Sequence, residues 1–185
     1  MSGETGMKWY ITGPVGSGKS TLARRMSQIL QIPCHHLDEV MYERDPTDSW
    51  GDKKRPVEER DALFSEILEE PDSIMEDAGR LCFFEGMRRA DAIVLLEPPP
   101  RVRRWRIVRR LIRQKLHWEP CHYTPSLTVL RAMLRWTREY TTQDGPKLHA
   151  RAESCPGRVV CIRTSREMRA FLENLPVSLP PASGE

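Results

Sequence analysis

KWYITGPVGSGKST, residues 8–21, decides how the chain is read. Its first half, KWYITG (8–13), is a short apolar run closed by glycine, the pattern of a buried strand. GPVGSGKST (13–21) then satisfies G-x-x-x-x-G-K-[ST], and STLARRMSQIL (20–30) spaces Leu22, Met26, Ile29 and Leu30 along one helical face. Strand, glycine-rich turn and helix stand in the order that wraps backbone N–H groups around a phosphate and aims a helix N-terminus at it. The expected nucleotide-contacting residues are Gly13, Pro14, Val15, Gly16, Ser17, Gly18, Lys19, Ser20 and Thr21. Lys19 would reach the β- and γ-phosphates, and the Ser20 hydroxyl would ligate Mg²⁺.

Outward from this loop the same alternation continues. IPCHHLD (32–38), SIMED (73–77), AIVLLEP (92–98) and RVVCIRT (158–164) read as strands. Helices are expected from Pro56 to about Glu70, over 99–116 and 125–141, and over 165–175. Residues 41–56 read as loop and 176–185 as a disordered tail, leaving one domain over 1–175. Strands alternating with helices predict an α/β fold with a mainly parallel sheet, whose site lies at the carboxyl ends of the strands. Asp38, Glu76, Asp77, Glu97 and Thr164 fall at those ends.

A net charge of +3 on 185 residues is mild, so positive charge is local and a general nucleic-acid coat is not indicated. The five cysteines form no CxxC pair, which gives neither a zinc motif nor a disulfide framework and fits a reducing, cytoplasmic setting. No signal-peptide pattern or membrane-length apolar run is expected to operate. His35 and His36 lack ligand-spaced partners and read as ordinary strand residues.

Charge gathers in RVRRWRIVRRLIRQK (101–115), with seven arginines, one lysine and no acid. At about 100° per residue, Arg103, Arg106, Arg110 and Arg113 share a face about 80° wide, with Trp105, Val108, Leu111, Ile112 and Leu116 broadly opposite. Arginine forks of this kind match phosphate oxygens and neutralise charge in phosphoryl transfer, so Arg103 is expected on the nucleotide and Arg106 and Arg110 in catalysis. Asp38 could accept the proton of an attacking hydroxyl or help hold Mg²⁺. Glu76 is favoured over Asp77 for placing the metal, with Glu97 a competitor.

Together these residues resemble the adenylate-kinase-like P-loop kinases, and more closely the bacterial family called "DNA topology modulation" proteins. The resemblance covers roughly residues 7–142. It rests on residues 13–21, Leu37–Asp38, Glu43–Arg44, Lys54–Arg55, Glu76, Arg80, Ala90–Asp91 and the spacing Arg103, Arg106, Arg110, Gln114–Lys115. It implies a five-stranded parallel sheet in 2-3-1-4-5 order, mobile lid segments over the site, and an acceptor held by Arg44, Arg55 and Arg80. Two departures stand on the acceptor side: the family has Glu-Gly where this chain has Glu76–Asp77, and His where it has Gly79.

The expected activity is transfer of the γ-phosphoryl group of ATP, with Mg²⁺, to a nucleoside monophosphate or a hydroxyl metabolite. An ATP-gated nucleic-acid-binding protein affecting DNA topology, and an ATP-binding protein without catalysis, are the alternatives. No N-K-x-D guanine-reading motif is present, yet nothing in the sequence selects adenine.

Overall fold

The computed structural model describes residues 6–45, 47, 48, 51–119 and 125–175. Five parallel strands form its sheet: β1 (Lys8–Thr12), β2 (Cys34–His36), and, after the short strands β3 (Tyr42–Arg44) and β4 (Asp52–Lys54), β5 (Ser73–Asp77), β6 (Ala92–Leu96) and β7 (Arg158–Ile162). Their order is β2-β5-β1-β6-β7. Counting only the sheet's own strands along the chain, this is the expected 2-3-1-4-5. β5 and β6 flank β1 and are buried at every residue, which explains their unbroken apolar character. Ser73, Glu76 and Asp77 are the exceptions, and the two acids end β5 beside the end of β1, where the phosphate loop begins.

Two apolar layers close the sheet. On one face α1 (Lys19–Leu30) contributes Leu22, Ala23 and Met26, packed with Trp9, Ile11 and Ile74 and with Phe171 of α8 (Ser165–Glu173). On the other, α3 (Val57–Glu69) brings Phe64, Ile67 and Leu68, α4 (Phe84–Arg88) brings Met87, and α7 (Gly145–Glu153) brings Leu148 and Ala152. α8 begins with a full capping box between Thr164 and Glu167, satisfying amides that the helix start would otherwise leave open.

Three expectations change. Residues 41–56 are not all loop: α2 (Leu37–Met41) leads into the antiparallel pair β3–β4, which runs Tyr42 opposite Lys54 and Arg44 opposite Asp52. Short charged strands carry no apolar alternation, so the pattern could not announce them. The helix expected over 125–141 is α6 (Leu127–Glu139), capped by Ser126, and it continues through a π-helical turn, Tyr140–Asp144, straight into α7. Gly145 and Pro146 are the first residues of α7, where proline is tolerated.

The third change concerns α5 (Pro100–Lys115), where the apolar side opposite the arginine stripe, which amphipathic patterning predicts to pack, is not the buried one. Arg103, Ile107, Leu111 and Gln114 face inward, whereas Trp105, Val108, Ile112 and Leu116 are exposed. α5 is placed by its contact with the phosphate loop, where Gly16 abuts the Arg103 carbonyl and the Ile107 side chain, and by α6. Small and aliphatic neighbours there outweigh the side with more apolar residues. Trp118 and Trp136 are also exposed. The tail 176–185 and Trp50 lie outside the described residues.

Candidate active site

The loop after β1 has the backbone its glycines require. Gly13 sits at φ +145°, and a Cβ on it would lie 2.3 Å from the Leu96 carbonyl oxygen of neighbouring β6. Gly18, at φ +100°, is the residue from which α1 starts, and its carbonyl accepts from the Thr21 and Leu22 amides. An L side chain at either position would strain the turn that aims the α1 N-terminus across the sheet edge.

Lys19 and Ser20 open α1 and meet Glu76 at the end of β5. Lys19 Nζ lies 3.7 Å from Glu76 Oε1 and donates to the Pro14 carbonyl, while Ser20 Oγ donates to Glu76 Oε2 at 3.2 Å. His36, closing β2, places Nδ1 2.8 Å from the same Oε2. Burial alone would raise the Glu76 carboxyl, but the His36 hydrogen bond and the Lys19 charge more than offset it and hold it below the usual carboxylate value. The hydrogen bond to Glu76 raises His36, against the opposing pull of burial. His36, read from sequence as an ordinary strand residue, is therefore a member of the site. Its proximity comes from β2–β5 register, His36 opposite Glu76, which no local pattern encodes.

A second group forms one residue further along β5. Asp77 is fully buried and accepts from the amides of Gly79 and Arg80, from the Tyr10 hydroxyl and from Arg80 Nη1. The other terminal nitrogen of Arg80 donates to Asp38 Oδ1 at 2.5 Å. Burial pulls the Arg80 pKa down, but the carboxylates of Asp38 and Asp77 outweigh it and leave it above its ordinary value. Arg151 of α7, missed in the sequence, donates Nη1 to the Gly79 carbonyl and braces the same turn.

The arginine stripe divides. Arg106 Nη1 donates to the Ser17 carbonyl inside the phosphate loop at 2.6 Å, and its Nη2 lies 3.4 Å from Ser165 Oγ at the start of α8. Arg103 instead turns to the π-helical turn, donating to Thr141 Oγ1 at 2.7 Å with its guanidinium 5.4 Å from the Tyr140 ring centre. Its Nε and Nη1 have no hydrogen-bond partner among the described residues, and burial lowers its pKa. Arg110 and Arg113 lie 3.7 and 3.9 Å from Glu119, the acid that the helix itself lacks. Glu97 accepts from Tyr140 Oη at 2.6 Å and faces His149 Nε2 at 2.7 Å, so it ties α7 to the end of β6 and stands apart from Glu76.

Of the arginines expected on the acceptor, Arg80 stands at Asp38. Arg55 donates to the carbonyls of Glu39 and Val40 at the end of α2 and lies within 4.0 Å of Glu43 and Glu59. Arg44 ends β3 in the exposed hairpin. Lys19, Ser20, Glu76 and His36 thus meet at the start of α1 and Arg106 reaches the phosphate loop, whereas Asp38 and Arg80 gather at Asp77, Arg103 turns to Thr141 and Arg110 to Glu119.

Among the described residues no three His, Cys, Asp or Glu side chains gather to hold a metal ion, and no helix is long and apolar enough to cross a membrane. The neighbouring oxygens of Ser20 and Glu76 do suit a hard cation that takes few protein ligands and completes its shell from phosphate and water.

Comparison with known proteins agrees with this architecture. No curated protein sequence matches the chain. Among solved structures it is similar to a shikimate kinase from Acinetobacter baumannii in complex with shikimate, at 17% identity over 92% of this chain and 90% of that one, with TM-score 0.57. A putative kinase from Chloroflexus aurantiacus is 20% identical over 92% and 96% of the two chains, with TM-score 0.54. A gluconokinase from Sinorhizobium meliloti is 16% identical over 92% and 94%, with TM-score 0.50. At these identities the shared property is the P-loop kinase fold. The AAA domain model AAA_18 matches residues 10–119, the span from β1 through the phosphate loop to the end of the arginine helix. The chain belongs to this AAA domain family of P-loop proteins.

Proposed function

We propose that the protein is a small-molecule kinase of the cytoplasm, moving the γ-phosphoryl group of Mg²⁺–ATP to a small acceptor. The observation that carries the reading is a phosphate loop whose Ser20 meets Glu76 in a metal-suited pair, with an exposed carboxylate, Asp38, in α2 just after β2 rather than at the strand end expected from the sequence. The resemblance to adenylate-kinase-like and "DNA topology modulation" proteins supports the same chemistry.

In this reading the loop amides and Lys19 hold the triphosphate. Ser20 and Glu76 would hold magnesium, which would supply positive charge against the phosphates when bound. Arg106 already reaches both the loop and Ser165, so it is placed to follow the nucleotide from phosphates to base. Arg110 and Arg103 would act on the phosphates only after leaving Glu119 and Thr141, as the Arg103–Arg113 stripe closes on the phosphates and excludes water. Asp38 takes the proton of an attacking hydroxyl, and Arg44 and Arg55 border the acceptor side from the β3–β4 hairpin and its exit. The test is Asp38→Asn: nucleotide affinity should persist while turnover falls by about two orders of magnitude or more. Turnover equal to the parent protein would remove Asp38 from that role.

A second reading, contact with nucleic acid, has one observation in its favour. Trp105 and Trp118 stand exposed beside Arg109 and Arg113 around an open groove of about 510 Å³. Stacking of single-stranded bases there would give binding that weakens steeply with salt. Absence of binding to single-stranded DNA at low salt would dismiss it.

A further inference from the structure

We infer that buried Asp77 commits Arg80 to Asp38, and that the site so formed takes an uncharged hydroxyl group rather than the phosphate of a nucleoside monophosphate. This rests on the phosphotransferase reading above and specifies its acceptor.

Asp77 receives four donors, two backbone amides, a tyrosine hydroxyl and one arm of Arg80. The turn it anchors has little room to move. Gly79 lies at φ +90°, and a Cβ there would meet Leu148 at 2.8 Å. Arg80 is then fixed at one arm, and its second arm reaches Asp38 while its guanidinium lies over the Tyr42 ring at 5.7 Å. Both terminal nitrogens of Arg80 therefore rest on carboxylates of this chain. The Asp38 side chain remains 65% exposed, open to an incoming group.

Charge then sorts the acceptors. Asp38, Arg80 and Asp77 sum to −1, and Arg151 on the Gly79 carbonyl brings the local total to zero, not to a positive value. Arg55, another arginine expected on the acceptor, is tied to backbone carbonyls and lies beside Glu43 and Glu59. A phosphate dianion needs open guanidinium forks and no base. A hydroxyl needs a carboxylate held at the right place and gains nothing from excess positive charge. The observed arrangement answers the second need. In the step, the hydroxyl proton passes to the Asp38 carboxylate as the acceptor oxygen bonds to the γ-phosphorus. The bond from that phosphorus to the β,γ-bridging oxygen breaks, and nucleoside diphosphate leaves with the electron pair. Arg80 and Asp77 are positioning residues in this step, and Asp77 sets specificity.

The experiment compares kcat/KM for two acceptor panels, neutral polyols and sugars against nucleoside monophosphates, with Mg²⁺–ATP as donor. The native protein should favour the hydroxyl panel by at least about tenfold. Asp77→Asn keeps an acceptor for the two amides but removes the charge that holds Arg80. It should shift that preference toward monophosphates by about tenfold or more, with the KM for ATP unchanged. Arg80→Lys, which keeps the charge but cannot bridge two carboxylates, should lower kcat on hydroxyls at unchanged KM for ATP, and it serves if Asp77→Asn fails to fold. Monophosphates used as well as hydroxyls by the native protein, a folded Asp77→Asn with unaltered preference, or Arg80→Lys with native kcat would each overturn the inference while leaving phosphotransfer intact. Transfer to neither panel would overturn the kinase reading, and this inference with it.

Discussion

Arg106 donates to the carbonyl of Ser17 at 2.6 Å, so the arginine helix is fastened to the phosphate loop before any nucleotide arrives. The contact joins residues 89 positions apart and makes α5 part of the nucleotide site rather than a separate basic arm. Removing it should therefore be felt in turnover. Arg106→Ala is expected to lower kcat by about ten- to a hundredfold, the worth of a charge-assisted hydrogen bond on a phosphate. Steady-state kinetics at saturating ATP measure this, and an unchanged kcat would detach the helix from catalysis.

His36 and Glu76 should titrate as a pair in the metal-free protein. The His36 pKa is raised by its bond to Glu76, so its contribution to stability is complete below the ordinary histidine value and is lost as pH rises through the raised one. The Glu76 pKa is lowered, so its contribution is present above the ordinary carboxyl value and lost as pH falls through the depressed one. Histidine resonances followed by NMR should place His36 above 6.5, and Glu76→Gln should bring it down. A His36 value at or below 6.5 in the native protein would show that the bond does not persist in solution.

Gly13→Ala is expected to destabilise the fold by about 1–3 kcal/mol, because alanine tolerates neither the positive φ nor the approach of the Leu96 carbonyl. Urea unfolding measures it. A midpoint equal to the parent's would mean that the loop relaxes freely, contrary to its packing against β6.

Tyr140→Phe removes the donor to Glu97 while keeping the ring under Arg103. Glu97 retains His149, so the loss should be about 1 kcal/mol, with nucleotide affinity unaltered. Reduced nucleotide affinity in this variant would place Glu97 with the metal-binding group instead of with the α7 joint.

The strand–loop–helix of residues 8–30 and the five sheet strands were legible because buried parallel strands read as apolar runs and the phosphate loop has a fixed spacing, while the strand order came from the family resemblance alone. Asp38, Glu76 and Arg80 could be singled out by strand-end position and resemblance. What could not be read was lateral. His36 joins Glu76 through strand register, Arg151 reaches Gly79 through helix packing, and Arg103 is drawn away from Arg106 although both lie on one helical stripe. The inverted face of α5 has the same origin. Helical periodicity shows which residues share a face, but the neighbour decides which face is covered.

The most direct test of the central claim is ADP release from purified protein with Mg²⁺–ATP, with and without hydroxyl acceptors, alongside Lys19→Ala. The account predicts acceleration by at least one hydroxyl acceptor, formation of its phosphate ester, and loss of both in the variant. ADP release that no acceptor accelerates, or acceleration that survives in Lys19→Ala, would contradict it.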